Sequence, residues 1–168
     1  MAEYEKIKQP FEPVYDKDSR ILILGSLPSV KSRENGFYYG HPQNRFWKVI
    51  ADIYGSTAPV NIEEKKELLH QCKIALWDVI ESCEIKGSSD SSIRDVKTAD
   101  LRMILNQCPI EELFANGKTA EKLYNKFSRT ETGRQIIALP STSPANAAYS
   151  LEKLIRRWSV IREPAEGK

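Results

Sequence analysis

The sequence has little of what many catalytic and structural chemistries need. Two histidines and three cysteines are spread through 168 residues. There is no Cys-x-x-Cys pair, and no cysteine or carboxylate sits at ligand spacing from a histidine. That argues against a disulfide framework, a four-cysteine cluster or a metal site. Cys72, Cys83 and Cys108 are expected as buried or half-buried free thiols of a reducing compartment. No apolar run approaches membrane length. The first residues, MAEYEKIKQPFEP, carry acids and lack a hydrophobic centre, so neither a spanning helix nor a signal peptide is expected. Charge imbalance is also missing: 25 Lys and Arg against 23 Asp and Glu leave +2. The overall field therefore does not announce nucleic acid, and any anion-binding surface must come from local clustering. There is no Gly-x4-Gly-Lys phosphate loop, no Gly-x-Gly-x-x-Gly fingerprint and no internal repeat. These absences leave a soluble, intracellular, cytoplasmic chain of one domain, long enough to bury a proper core.

What is present is an alternation of short apolar runs with helical patterns. Ile21 to Leu24 reads as a central parallel strand covered on both faces. Pro42 to Tyr54 reads as a helix, with Phe46, Val49, Ile50, Ile53 and Tyr54 on one face, Pro42 in its first turn and Gly55 ending it. Asn61 followed three residues later by Glu64 caps a second helix to Gln71. Ile74 to Trp77 is the second strand, with Asp78 at its carboxyl end. Gly87 to Ser92 is a polar rim loop. Thr98 is expected to cap a helix to Gln107. Glu112 to Ala115 and Gln135 to Leu139 are further strands, each followed by a helix, Lys118 to Phe127 and Asn146 to Trp158. The fold class is α/β: a three-layer, doubly wound domain with a central four-stranded parallel sheet. Residues 1–19 are read as an arm on its surface with Val14 and Tyr15 docking, 20–163 as the domain, and 164–168 as a disordered tail.

In such sheets ligands bind beyond the carboxyl ends of the strands, near the point where strand order reverses. That rule selects Gly25-Ser26-Leu27-Pro28-Ser29 after the first strand and Pro140 to Asn146 after the fourth. The first turn offers close backbone approach and two hydroxyls, or simply a capped turn. Phe37, Tyr38 and Tyr39 stand outside any periodic element; at least one belongs to the core, and another is placed to stack on a planar ligand. Asn44 can donate and accept at once, so it can hold a water or read a base edge, unless it only closes a local bond at the helix start. His41 either caps that helix or takes part in chemistry. Ser141, Thr142, Ser143 and Asn146, at an expected helix N-terminus, either bind an anion or serve as caps. Lys153, Arg156, Arg157 and Arg162 form a basic, solvated face.

Taken together, G-S-L-P-S, then G-F-Y-Y-G-H-P-Q-N-R-F-W, then L-P-S-T-S-P-A-N resemble the uracil-DNA glycosylase superfamily from Arg20 to Trp158. The H-P-x-N-R-F-W run is most similar to the mismatch-specific uracil/thymine branch. G-S-x-P-S with S-T-S-P-A-N is more similar to the hypoxanthine-DNA (DNA-deoxyinosine) glycosylase branch. The resemblance implies a four-stranded parallel sheet between helices. It also implies hydrolysis of the N-glycosidic bond of a deaminated or mismatched base in DNA, without metal or cofactor. Most branches place an Asp or Asn before the Pro of the first motif to position water; here Leu27 stands there. The hypoxanthine branch implies Asn44 as the catalytic residue. Where other branches have His or Asn to bond the departing base, this chain has Ser141; where several have a Leu wedge, it has Ala145.

The expected reaction is that of a monofunctional, monomeric glycosylase. Gly25, Ser26, Leu27, Asn44 and Tyr39 or Phe37 surround the flipped base. Asn44 and Ser141 are catalytic. Pro28, Ser29, Ser143, Pro144, Ala145 and Asn146 lie along the DNA. Glu34 is the next candidate base after Asn44. The alternatives are a uracil or G:U/G:T mismatch-specific glycosylase, and a non-catalytic DNA- or nucleotide-binding module of the same fold, for which Leu27 speaks and Asn44 does not.

Overall fold

Every residue of the strand β2 (Ile21–Gly25) is buried, because apolar layers cover both of its faces. In the computed structural model, which describes residues 3–87 and 89–163, β2 pairs in parallel with β3 (Ile74–Asp78) on one side and β6 (Glu112–Asn116) on the other. β7 (Ile136–Leu139) extends the sheet beyond β6, giving the order β3-β2-β6-β7. The pleat sends Ile21, Ile23, Ile74 and Leu76 to one face, where they pack with α2 (Phe46–Ile53), α3 (Ile62–Gln71) and α7 (Leu151–Trp158). Leu22, Leu24 and Ala75 face the other way, onto Leu101, Ile104 and Tyr124. Those three come from α4 (Arg102–Leu105) and its approach, and from the π-helical turn that joins α5 (Lys118–Leu123) to α6 (Arg129–Thr132). The three-layer parallel architecture expected from the sequence is the one observed.

A second sheet stands beside it. β1 (Tyr4–Lys8), β4 (Ile80–Lys86) and β5 (Arg94–Thr98) form an antiparallel sheet in the order β1-β4-β5. The expected arm over residues 1–19 thus contributes a strand, and its Val14 pairs backbone to backbone with Leu76. Thr98 ends β5 and does not cap a helix; α4 is only a four-residue helix starting at Arg102. The small sheet is tied to the first turn: Val79 and Ile80 donate their N–H groups to the carbonyls of Gly25 and Ser26.

Two helix starts also move. Residues 42–43 form a turn, 44–45 are irregular, and α2 begins at Phe46. The last helix begins at Leu151, capped by Ser150. A five-residue helix, α1 (Val30–Glu34), follows the first turn and is capped by Ser29. The expected cap of α3 is present, with Asn61 accepting from the Glu64 N–H at 2.8 Å and Glu64 accepting from Val60. Asn61→Ala is expected to cost about 1 kcal/mol, read as a lower midpoint in urea at unchanged slope. All three cysteines are buried and free. Among the described residues no helix is long and apolar enough to cross a membrane.

Candidate active site

Strand order reverses between β2 and β6, and a cleft of about 480 Å³ opens beyond the carboxyl ends of these strands. Its walls are the turn after β2, the turn after β7, the loop carrying Tyr39 and Asn44, and the end of the small sheet at Ile85, Gly87 and Asp90.

Asn44 and the second motif form one hydrogen-bonded unit. Asn44 Oδ1 accepts from the Phe46 N–H at 2.9 Å, which fixes the amide orientation because a backbone N–H only donates. By the same logic the Thr142 N–H, donating to Asn116 Oδ1 at 3.0 Å, orients Asn116. Asn116 Nδ2 then donates to Thr142 Oγ1, and the Thr142 hydroxyl donates its one proton to Asn44 Oδ1 at 2.9 Å. The oxygen of Asn44 is therefore occupied twice, and its free capacity is the Nδ2 donor at the cleft wall. His41 behaves alike: Nδ1 accepts from the Gln43 N–H, which leaves Nε2 as the protonated atom of the neutral ring.

Arg45 holds this unit in place. Its N–H donates to Thr142 O at 3.1 Å. Its guanidinium donates to the carbonyls of Ser143 at 3.0 Å, Asn146 at 3.1 Å and Tyr149. Arg45→Ala would leave part-buried carbonyls without donors, so a loss of about 3 kcal/mol is expected, measured by chemical denaturation. The loop carrying Ser141 to Ala145 would lose its anchor with it.

The floor is made by Tyr39, Asp78 and Gly25. Tyr39 has φ 54°, a left-handed backbone that costs a side-chain-bearing residue about 1–2 kcal/mol. Stacking on Phe46, with ring centroids 4.2 Å apart, helps hold it there. Its hydroxyl is buried, with the Asn116 side chain beside it. Burial, reinforced by nearby Asp78, raises its pKa and keeps it protonated. Asp78, only 3% exposed, receives a hydrogen bond from Gln9 Nε2, whose orientation is set by Gln9 Oε1 accepting from the Phe11 N–H. Burial pushes Asp78 up to about 7, against the opposing hydrogen bonds from Gln9 and the Gly25 N–H. A Cβ on Gly25 would stand 2.5 Å from Asp78 Oδ1 and 2.9 Å from Tyr39 Oη, so only glycine leaves both oxygens room.

Gly25, Ser26, Leu27, Pro28, Ser29, Tyr39, Asn44, Ser141, Ser143, Pro144 and Ala145 all border the cleft. Phe37 does not. It is 5% exposed, in the core beside Phe11 and Trp47, because the chain turns it away from the cleft toward α2. Asn146 lies outside the cleft lining as well. Its amide donates to Ser141 O, its N–H to Ser143 O, and its carbonyl accepts from Arg45. The anion-binding reading of this loop loses its basis, since α7 starts later and the N–H groups of Ser143, Ala145 and Asn146 are spent inside the loop. The hydroxyl of Ser29 is likewise engaged as the cap of α1. Glu34 is exposed and faces Lys31 at 3.3 Å, outside the cleft lining. Leu27 packs against Ile7, Ile80, Cys83 and Ile85, so the small sheet explains an apolar residue there.

Sequence reasoning missed Asp78 and Asn116 as cleft residues. Each closes an apolar strand at its carboxyl end, and that position was the available signal. Among the described residues, no three His, Cys, Asp or Glu side chains are grouped to hold a metal ion.

A doubly wound sheet with a cleft at its switch point, lined by G-S-L-P-S and S-T-S-P-A-N turns, defines a class, and the comparisons agree with it. Residues 12–162 match the family model of the uracil DNA glycosylase superfamily, and the chain belongs to that superfamily. It is 36% identical over 141 residues to a Methanosarcina barkeri protein described as a hypoxanthine DNA glycosylase, covering 83% of this chain and 88% of that one. A Methanosarcina acetivorans protein of the same description is 37% identical over 158 residues, 93% of this chain and 99% of the other. A solution NMR structure from Methanosarcina acetivorans, provisionally described as a uracil DNA glycosylase, superposes with a TM-score of 0.79 at 32% identity. It covers 92% of this chain and 96% of that one.

Proposed function

We propose that this chain is a monofunctional DNA glycosylase that flips a deaminated base, hypoxanthine above others, into the cleft and hydrolyses its N-glycosidic bond. The observation that carries the reading is the Asn116–Thr142–Asn44 chain of hydrogen bonds. It joins both motifs at the switch point and leaves Asn44 with a pre-aimed donor. The two relatives described as hypoxanthine DNA glycosylases support the choice of base.

The departing base carries negative charge as the C1′–N bond breaks. A donor fixed before the reaction stabilises that charge more than it stabilises the intact nucleotide. Asn44 Nδ2 is such a donor, with Ser141 and the backbone near Ser26 beside it. Tyr39 is the aromatic available to the base, and a cleft of about 480 Å³ has room for a flipped nucleotide. Lys31, Arg33 and Lys118 border the cleft, so local cations meet the phosphates although the net charge is only +2.

The test is incubation with duplexes carrying inosine, uracil, xanthine or no lesion, followed by alkali. The expected result is alkali-labile sites at inosine first and none in the undamaged duplex. Preferential cleavage at uracil would favour the uracil-specific alternative; binding without cleavage would favour a non-catalytic module.

A further inference from the structure

The hydrolysis needs a group that accepts a proton from water, and the residues first expected to supply it do not. Leu27 has no polar atom, Asn44 Oδ1 is already bonded to Phe46 and Thr142, and His41 Nδ1 is engaged by Gln43. Among the described residues the cleft holds two carboxylates, Asp78 at the floor and Asp90 at the exposed rim. Asp90 already takes the Thr119 hydroxyl. Asp78 Oδ2 takes Gln9, while Oδ1 stands at the cleft floor against Gly25, where any Cβ would come within 2.5 Å of it.

We propose that Asp78 is the catalytic base, taking a proton from the attacking water at the cleft floor beside Gly25. The water oxygen bonds to C1′ as the C1′–N bond breaks. The electron pair of that bond leaves with the base, the water proton passes to Asp78, and solvent returns a proton to the base. Tyr39, packed beside Asp78 and kept neutral by its burial, does not titrate in the working range. The groups facing Asp78 are Tyr38 and Tyr39 from the loop before α2, the Gln9 amide after β1 and the Gly25 N–H of β2. No cation is among the causes of its shift, so burial sets the pH at which it becomes a base.

This proposal rests on the glycosylase reading, and one experiment separates the two. Single-turnover release of hypoxanthine from an inosine duplex is measured between pH 5.5 and 9 for wild type, Asp78→Asn and Gly25→Ala. Melting temperature and duplex affinity are recorded alongside. Wild-type rate should climb about tenfold per pH unit until Asp78 ionises near 7, then level. Asp78→Asn still accepts from Gln9, so it should fold and bind. It should lose roughly 10²–10⁴-fold in rate and the climb with pH. Gly25→Ala should also lose rate, because the added methyl would come within 2.5 Å of Asp78 Oδ1 and push the carboxylate from its place. A silent wild type overturns the glycosylase reading and this proposal with it. An active wild type with an undiminished Asp78→Asn variant overturns the proposal alone. So does a loss confined to affinity, or a change in which base is released, since either would put Asp78 against the base and not the water.

Discussion

Asn44→Asp is expected to slow hypoxanthine release by about 10²–10³-fold while leaving the protein folded. The substitution is nearly isosteric. It keeps the oxygen that accepts from Phe46 N–H and Thr142 Oγ1, and it replaces the only free donor of the side chain by a second acceptor. Negative charge would then face the departing base. Asn44→Ala should lose at least as much rate. It should also lose about 1–2 kcal/mol of stability, because the Phe46 N–H at the start of α2 and the Thr142 hydroxyl lose their acceptor. The pair separates two roles for the residue. If Asn44 worked through its oxygen, by holding water, the Asp variant would keep most activity. Single-turnover rates of both variants, set beside their urea midpoints, decide between these outcomes.

Phe46→Ala should have the largest effect on stability, about 3–5 kcal/mol. Phe46 is fully buried, stacks on Tyr39 at 4.2 Å, and meets Trp47 and Trp158 edge to face at 4.8 and 5.9 Å. Removing the ring opens a cavity between α2, α7 and the cleft floor that three rigid aromatic rings cannot close. For a chain of this length the loss corresponds to a fall in Tm of roughly 10–15 °C, measurable by calorimetry. The variant should also release base more slowly at temperatures where it is still folded, because the left-handed backbone of Tyr39 loses the ring it stacks on. Phe46→Leu keeps most of the volume and should recover more of the stability than of the rate.

The parallel sheet was legible in the sequence because its strands are short, apolar and separated by helical patterns. β2 is buried on both faces, and it reads so. The antiparallel sheet was not legible. In β4 the buried positions Ile80, Cys83 and Ile85 are interleaved with Glu and Ser, and β5 keeps no fully buried residue. A strand of that kind is held by its neighbours' backbone, which a pattern of hydrophobicity does not register. The aromatic loop shows the same limit. Phe37, Tyr38 and Tyr39 are adjacent, yet Phe37 is turned into the core away from the cleft, while the buried Tyr38 and, at a positive φ, Tyr39 both border it.

The site was legible as two motifs, and Asn44 was identified within them, but the direction of its chemistry was not. Whether an amide serves as donor or acceptor depends on what holds its oxygen. Here that group is Thr142, 98 positions away. Asp78 and Asn116 were overlooked for a related reason: each looks like a strand end or a turn residue until the parallel register brings it beside Gly25 or Thr142. Arg45 stood inside a quoted motif without a role, because the carbonyls it binds lie in the other one and, at Tyr149, just after it.

The central claim is hydrolytic removal of a deaminated base, and counting products tests it most directly. Wild-type protein is incubated with an inosine-containing duplex, free base is quantified by chromatography, and the strand is examined before and after alkali. Free hypoxanthine and abasic sites are expected in equal amounts, with no strand break until alkali is added. A protein that binds the duplex and releases no base, or that breaks the strand before alkali, would contradict it.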